Sequence, residues 1–217
     1  MVPTMSIVGF SGSGKTTLIV KVVEELTARG YRVGTIKHDA HKFEIDREGK
    51  DSWRHKKAGA KSVLITSAEK LAFIKSTAEE MPLSKAIPLF MSDLDVVITE
   101  GYKTGALPKI EVYRSSVAEH PACLSDPLLL ALVSDGPLET KKPLLDINDF
   151  MGVADIIENK IIKAAKADTV CDLELTLNGQ RVSLQKEAAL RLKKAAEEAL
   201  EESRLSAEGL IELRLNR

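Results

Sequence analysis

Apolar residues in this chain come in short runs whose period changes along the sequence. Met5-Ser6-Ile7-Val8 predicts a core strand. A glycine-rich loop follows, and then Leu18, Val22, Val23 and Leu26 recur at the spacing of one helix face. Gly30 stands where a helix C-cap belongs. Val33-Gly34-Thr35-Ile36 predicts a second strand, and a polar stretch from His38 to Lys57 then interrupts the apolar pattern. That stretch is long for a connector, and long loops in compact domains are often functional. Ser62–Ser67 and Leu71–Ile74 predict two strands joined by a short turn, and Leu83–Met91 a short helix. Val96-Val97-Ile98 is a continuous β-branched run, the pattern of a strand covered on both faces. Ile110–Tyr113 and Leu130–Val133 predict further strands, and Phe150–Ala165 a helix. Strands alternating with helices imply βαβ units and a mainly parallel sheet flanked by helices, an α/β fold.

The pattern changes near Lys166. Leu173–Leu177 alternates, Asn178-Gly179 supplies a type I′ hairpin turn, and Val182 and Leu184 resume the alternation. Gln185–Ser203 is rich in strong helix formers, and Leu210–Leu215 alternates again. The expected organisation is a domain over residues 1–166 and a small ββαβ appendage over 167–217.

Composition narrows the classes without naming one. Hydrophobic residues are 44% and charged residues 29% of 217, an ordinary globular balance. Nothing approaches the uncharged apolar run of a membrane span. The early apolar strand argues against a cleaved leader. A net charge of -1 and 4% aromatic residues argue against nucleic acid as a bulk partner. Two cysteines far apart, Cys123 and Cys171, read as reduced thiols and a cytoplasmic location.

The chemistry concentrates in Gly9-Phe10-Ser11-Gly12-Ser13-Gly14-Lys15-Thr16-Thr17. This is a P-loop, or Walker A, pattern with a strand before it and an amphipathic helix after it. Successive backbone N–H groups in such a loop converge on phosphate oxygens, and the helix adds its own N-terminal amides. Gly12, Ser13, Gly14, Lys15, Thr16 and Thr17 are the expected phosphate contacts. Lys15 should neutralise the β- and γ-phosphates, and the Thr16 hydroxyl should ligate Mg²⁺. A magnesium carboxylate is expected at the carboxyl end of a buried neighbouring strand, and Glu100, after Val96–Thr99, has that place.

Other polar clusters stay open to two readings. His38 and His41 offer two zinc-type ligands, too few for a closed site, or a loop near the γ-phosphate in which Asp39 or Asp46 approaches the metal. Gly49-Lys50-Asp51-Ser52 with Arg54 suits anion handling and equally a solvated helix start. Arg54 is the candidate arginine for stabilising charge on a transferring phosphoryl group. Asp135, after Leu130–Val133, is a candidate for the edge of a guanine, against a plain loop-capping role.

Together these segments resemble the molybdopterin-guanine dinucleotide biosynthesis protein B (MobB) family over roughly residues 4–165. The matching pieces are Gly12–Leu18, Ile36-Lys37-His38 with His41 and Asp46, Gly49–Ser52 with Ala58-Gly59-Ala60, Glu100-Gly101-Tyr102-Lys103, and Leu144–Asp149. The resemblance implies a P-loop GTP-binding accessory protein with weak GTPase activity in molybdenum cofactor biosynthesis, with GTP and Mg²⁺ as cofactors. It implies a homodimer and a separate nucleotidyltransferase partner that attaches GMP to molybdopterin. Carried over by position, Thr16 and Glu100 lie at the metal and Asp51 is a site residue. The usual guanine-reading Asn-Lys-x-Asp is absent. A P-loop small-molecule kinase, with the His38–Lys57 loop holding an acceptor, and a nucleotide-switched metallochaperone are the competing functions.

Overall fold

In the computed structural model, residues 2–38, 44–169, 173–177, 180–184, 191–192, 194–195 and 214–215 are described, and the chain divides into two compact units, Met1–Asn148 and Asp149–Arg217. The first unit is built on a six-stranded sheet. Its strands are β1 (Thr4–Val8), β2 (Val33–Lys37), β5 (Val96–Glu100), β6 (Lys109–Tyr113), β7 (Leu129–Ser134) and β8 (Leu144–Asp146). Their order is β2-β5-β1-β6-β7-β8, and every pairing is parallel. Parallel sheets are covered on both faces, so the central strands carry no polar face. Met5, Ile7 and Val8 of β1, Val96, Val97 and Ile98 of β5, and Ala131, Leu132 and Val133 of β7 are fully buried.

Helix α1 (Lys15–Ala28) packs on β5, β1 and β2. Its Leu18, Ile19, Val22 and Leu26 are buried, close to the stripe read from the sequence. The helix stops where expected. Gly30 has φ 90°, its N–H donates to the Thr27 carbonyl, and the Tyr31 N–H donates to Leu26, the two bonds of a Schellman cap. Between β2 and β5 lie α2 (Asp51–Lys57), an antiparallel hairpin of β3 (Ser62–Thr66) and β4 (Leu71–Lys75), and α3 (Leu83–Phe90).

Helices do not alternate with strands beyond β5. The connections 101–108, 114–128 and 135–143 are irregular. The first is short for a parallel crossover because β6 is staggered: Ser6 of β1 is level with both Thr99 of β5 and Lys109 of β6. The chain therefore retreats little before re-entering the sheet. Two buried charges of β6 hold these loops in place of helices. Lys109, 1% exposed, donates to the carbonyls of Lys103 and Gly105 and to Asp126 at 2.6 Å. Glu111, fully buried, accepts the backbone N–H groups of Ala122 and Cys123. The Lys109 ammonium and the Leu128 N–H hold the Asp126 carboxyl below its ordinary range. Leu144–Asp146 adds a parallel edge strand where the sequence pattern predicts none.

The second unit opens with α4 (Phe150–Ile157), whose first turn is capped by the Asp149 carboxylate accepting the Gly152 N–H at 2.9 Å. It continues through a wide turn at Glu158–Ile162 into α5 (Lys163–Thr169). Strands β9 (Leu173–Leu177), β10 (Gln180–Leu184) and β11 (Arg214–Leu215) form an antiparallel sheet in the order β10-β9-β11. The expected turn at Asn178-Gly179 and most of the helix expected at Gln185–Ser203 lie outside the described residues.

Removing Lys109 leaves two carbonyls and Asp126 without their shared donor. The substitution Lys109→Met should lower unfolding free energy by about 2–4 kcal/mol. Urea denaturation checks this, and an unchanged midpoint would show that the clip carries no stability.

Candidate phosphate-binding site

The site begins as a backbone problem. Strand β1 ends at Val8, and α1 starts at Lys15, so six residues must turn the chain from strand to helix. Gly9, Gly12 and Gly14 turn the chain between them with φ of 141°, 79° and 97°, values that favour glycine. A Cβ on Gly9 would run into the Val112 carbonyl and the Ser13 hydroxyl. Gly14 is the N-cap of α1 and supplies no side-chain oxygen to its amides, so those N–H groups face an incoming anion. The Ser13 hydroxyl is buried and has no hydrogen-bond partner. A phosphate oxygen in the loop suits both orphans.

Cations surround this loop. Lys15 Nζ donates to the Phe10 carbonyl at 2.7 Å, arching over the cradle. Lys103 lies over the Phe10 ring, 4.0 Å from its centroid. Lys37 ends β2 in register with Glu100. Burial first, then the charges of Lys103 and Lys37, lower the Lys15 pKa against the opposing pull of Glu100. Three lysines held this close around one carboxylate, Glu100, suit a polyanion.

Thr16 and Glu100 come together as the sequence suggests: the Thr16 hydroxyl donates to Glu100 Oε1 at 2.9 Å. Two protein oxygens suit Mg²⁺, which keeps water and takes further ligands from substrate phosphates. Among the described residues no group of three His, Cys, Asp or Glu side chains forms a metal cage. The donor set therefore fits a metal brought in with a phosphate.

Beside Glu100 the backbone turns through Gly101 at φ 102° and Tyr102 at φ 55°. The Tyr102 hydroxyl donates to Glu80 Oε1 at 2.9 Å, and its ring meets His38 with centroids 4.7 Å apart. His38 Nε2 also faces Glu80 Oε2 at 3.5 Å. His38 is thus occupied by an aromatic and a carboxylate neighbour; Asp39 and His41 lie outside the described residues.

The second polar cluster does not join the cradle. Asp51 and Arg54 face each other across one turn of α2 at 3.8 Å, both well exposed. Among the described residues no hydrogen bond or ion pair joins either to a cradle residue. Asp46 accepts a hydrogen bond from the Ser52 hydroxyl at 2.8 Å, in their own loop. A cleft of about 710 Å³, lined by Asp46, Trp53, Lys56, Lys57 and Ile74 among others, lies in this region, and no cradle residue lines it. The backbone amides and cations at Gly9–Thr17, not the size of that cleft, make this loop the candidate phosphate site.

A profile of the family described as "Molybdopterin guanine dinucleotide synthesis protein B" matches residues 4–135. The chain belongs to the MobB family. A "Molybdopterin-guanine dinucleotide biosynthesis adapter protein" of Haemophilus influenzae is 42% identical over 159 residues, covering 73% of this chain and 89% of that protein. Its counterpart in Escherichia coli is 38% identical over 161 residues, covering 72% and 92%. A crystal structure titled molybdopterin-guanine biosynthesis protein B is 34% identical, with TM-score 0.58 over 71% of this chain and 97% of that one. The MobB match covers the cradle, Glu100 and the strand ends beyond them.

Two polar contacts at this MobB site escape sequence reasoning. Glu80 follows the hairpin in a stretch with no periodic signal. Arg114 directly follows the apolar run of β6; its Nε donates to the Ser13 carbonyl at 3.1 Å. The signal that could have found it is the strand end itself, since loops after parallel strands gather at the binding edge.

Burial and the Glu80 charge disfavour the phenolate of Tyr102, whose pKa is pushed up to about 12. The neutral hydroxyl therefore keeps its bond to Glu80 throughout the neutral range. Its folded pKa lies above the unfolded value, so the associated stability is complete below about pH 10 and is lost as pH rises toward 12. Of three tyrosines, one should ionise late in an ultraviolet tyrosinate titration, and Tyr102→Phe should remove that step.

Proposed function

We propose that this chain is an adapter protein in molybdopterin guanine dinucleotide biosynthesis that binds Mg·GTP at Gly12–Thr17 and hydrolyses it slowly. One observation carries the nucleotide reading: a glycine cradle with an orphaned Ser13 hydroxyl, ringed by Lys15, Lys37 and Lys103 and flanked by the Thr16–Glu100 pair. The biosynthetic role is supported by the names of the relatives, and guanine by the dinucleotide that those names describe.

In this reading the loop amides and the Lys15 ammonium hold the β- and γ-phosphates. Magnesium, when bound through Thr16 and a water on Glu100, supplies charge neutralisation at the phosphates. Lys103 and Lys37 add positive potential at the γ end. Slow hydrolysis follows from what surrounds that end. Arg114 is the described arginine in contact with the cradle, and it donates to Ser13 from the β6 side, opposite Glu100. An arginine acting on the transferring group would have to come from elsewhere, which suits a protein that works with a partner. A catalytic role for Asp51 and Arg54 is supported by the family resemblance alone.

A homodimer and a nucleotidyltransferase partner belong to the same reading. Leu64, Ile65, Leu71 and Phe73 of the β3–β4 hairpin are exposed, as are Leu89 and Phe90 of α3. Apolar side chains grouped in this way support an association surface. The water-soluble nucleotide supports action in the cytoplasm.

Calorimetric titration with GTP and ATP, with and without Mg²⁺, tests the proposal. Saturable GTP binding that needs Mg²⁺ is expected. Lys15→Ala should weaken it at least about tenfold, the scale of one lost charge-assisted bond. Thr16→Ala should remove most of the Mg²⁺ dependence. Wild-type protein that takes up no GTP with Mg²⁺ would refute the nucleotide role.

A further inference from the structure

We propose that Asp135, held by Arg114, is the base-reading end of the nucleotide site and recognises the N1–H and 2-amino donors of a guanine. The inference rests on the Mg·GTP reading above and gives the nucleotide a direction.

The cradle sits at the end of β1, between β5 on one side and β6 on the other. Everything that suits the γ end lies toward β5 and β2: Glu100 closes β5, Lys37 closes β2, and Thr16 turns toward Glu100. A nucleoside attached at the other end of the triphosphate must therefore run over β6 and β7. Asp135 immediately follows β7, which lies two strands from β1. That is a displacement of roughly 10 Å at ordinary strand spacing, about the reach of a nucleoside from its first phosphate to the far edge of its base.

Arg114 links the two ends. Its Nε donates to the Ser13 carbonyl at 3.1 Å, and Nη1 stands 3.8 Å from Asp135 Oδ2. That separation is too long for a hydrogen bond, so the guanidinium orients the carboxylate without occupying it. Among the described residues no hydrogen bond occupies the Asp135 oxygens. Both side chains remain about one-third exposed, open to a ligand. Gly136, where an added Cβ would meet nothing within 4 Å, leaves space beside them.

A carboxylate only accepts. Guanine offers it two adjacent donors, N1–H and the 2-amino group, for a two-pronged charge-assisted contact. Adenine presents an unprotonated N1 in the corresponding place, and its lone pair would face the carboxylate. Hypoxanthine keeps N1–H and lacks the amino group. Xanthine replaces that amino group by a carbonyl, to which an amide N–H would donate and which a carboxylate would repel.

Competition titrations with GTP, ITP, XTP and ATP, all with Mg²⁺, provide the test. The wild-type chain should bind GTP at least about tenfold more tightly than ITP or XTP, the scale of one lost charge-assisted contact. Asp135→Asn should lose GTP affinity and gain XTP affinity, reversing that order. Arg114 is a positioning residue in this scheme. Arg114→Gln should narrow the GTP-over-ITP ratio, and Arg114→Lys should partly restore it. Equal wild-type affinity for GTP and ITP overturns base reading, and this comparison needs no variant to fold. Unchanged GTP affinity in Asp135→Asn overturns it as well. An equal loss for every nucleotide in Arg114→Gln overturns the positioning role and leaves Arg114 as a support of the cradle. If no nucleotide binds the wild type, the Mg·GTP reading itself fails; if GTP binds without these preferences, only the base assignment does.

Discussion

The close approach of the Gly9 backbone to the Val112 carbonyl is the constraint on which the rest of the site depends. A Cβ at Gly9 has no room there, so the loop can leave β1 only as glycine. That approach lays the loop against β6 while α1 departs over β5, β1 and β2. The α1 amides are thereby exposed at the carboxyl edge of the sheet, and the end of β6 is drawn beside the cradle. Arg114 reaches the Ser13 carbonyl because its strand runs directly alongside β1. Binding chemistry and sheet topology are thus set by one contact between backbone segments far apart in sequence.

Beyond β5 the fold uses buried charge where other α/β domains use helices. A loop carries unpaired carbonyls and amides, and these must be matched before the loop can lie against a core. Lys109 matches carbonyls of Lys103 and Gly105, and Glu111 matches two amides at Ala122 and Cys123. Both side chains are stiffly determined, because a charge in the interior is tolerated only with its partners in place. The functional consequence is positional. Lys103 extends over Phe10 from a loop whose own carbonyl is tied to Lys109.

The strands, α1 with its glycine cap, and the cradle were legible in the sequence because each has a local cause. Period, cap and glycine pattern are properties of neighbouring residues. The pairing of Thr16 with Glu100 was legible too, since a carboxylate after a fully apolar strand has few other reasons to be there. Glu111 was not legible: Ile110-Glu111-Val112-Tyr113 alternates as though the glutamate faced solvent, yet distant amides of Ala122 and Cys123 bury it. Arg114 was hidden for the same reason. Its meaning depends on β6 lying next to β1, and strand order is not written in local periodicity. Leu144–Asp146 was too short to register as a strand, although β7 pairs with it.

The surplus of positive charge at the cradle also bears on how such a site works. Lys15, Lys37 and Lys103 repel one another at the loop, a repulsion that adds to burial, the main cause, in lowering the affinity of Lys15 for its proton against the pull of Glu100. An anion relieves that repulsion in the ground state as well as in any transition state. Interactions made equally in both tighten binding without speeding chemistry. On the proposed reading, such a site would favour a long-lived nucleotide complex over rapid turnover, because its charges would be satisfied before the phosphoryl group moves. A partner that supplies one further positive group only at the γ-phosphate would shift the balance toward hydrolysis. The arrangement therefore fits the proposal above, with the nucleotide as a condition for assembly rather than fuel.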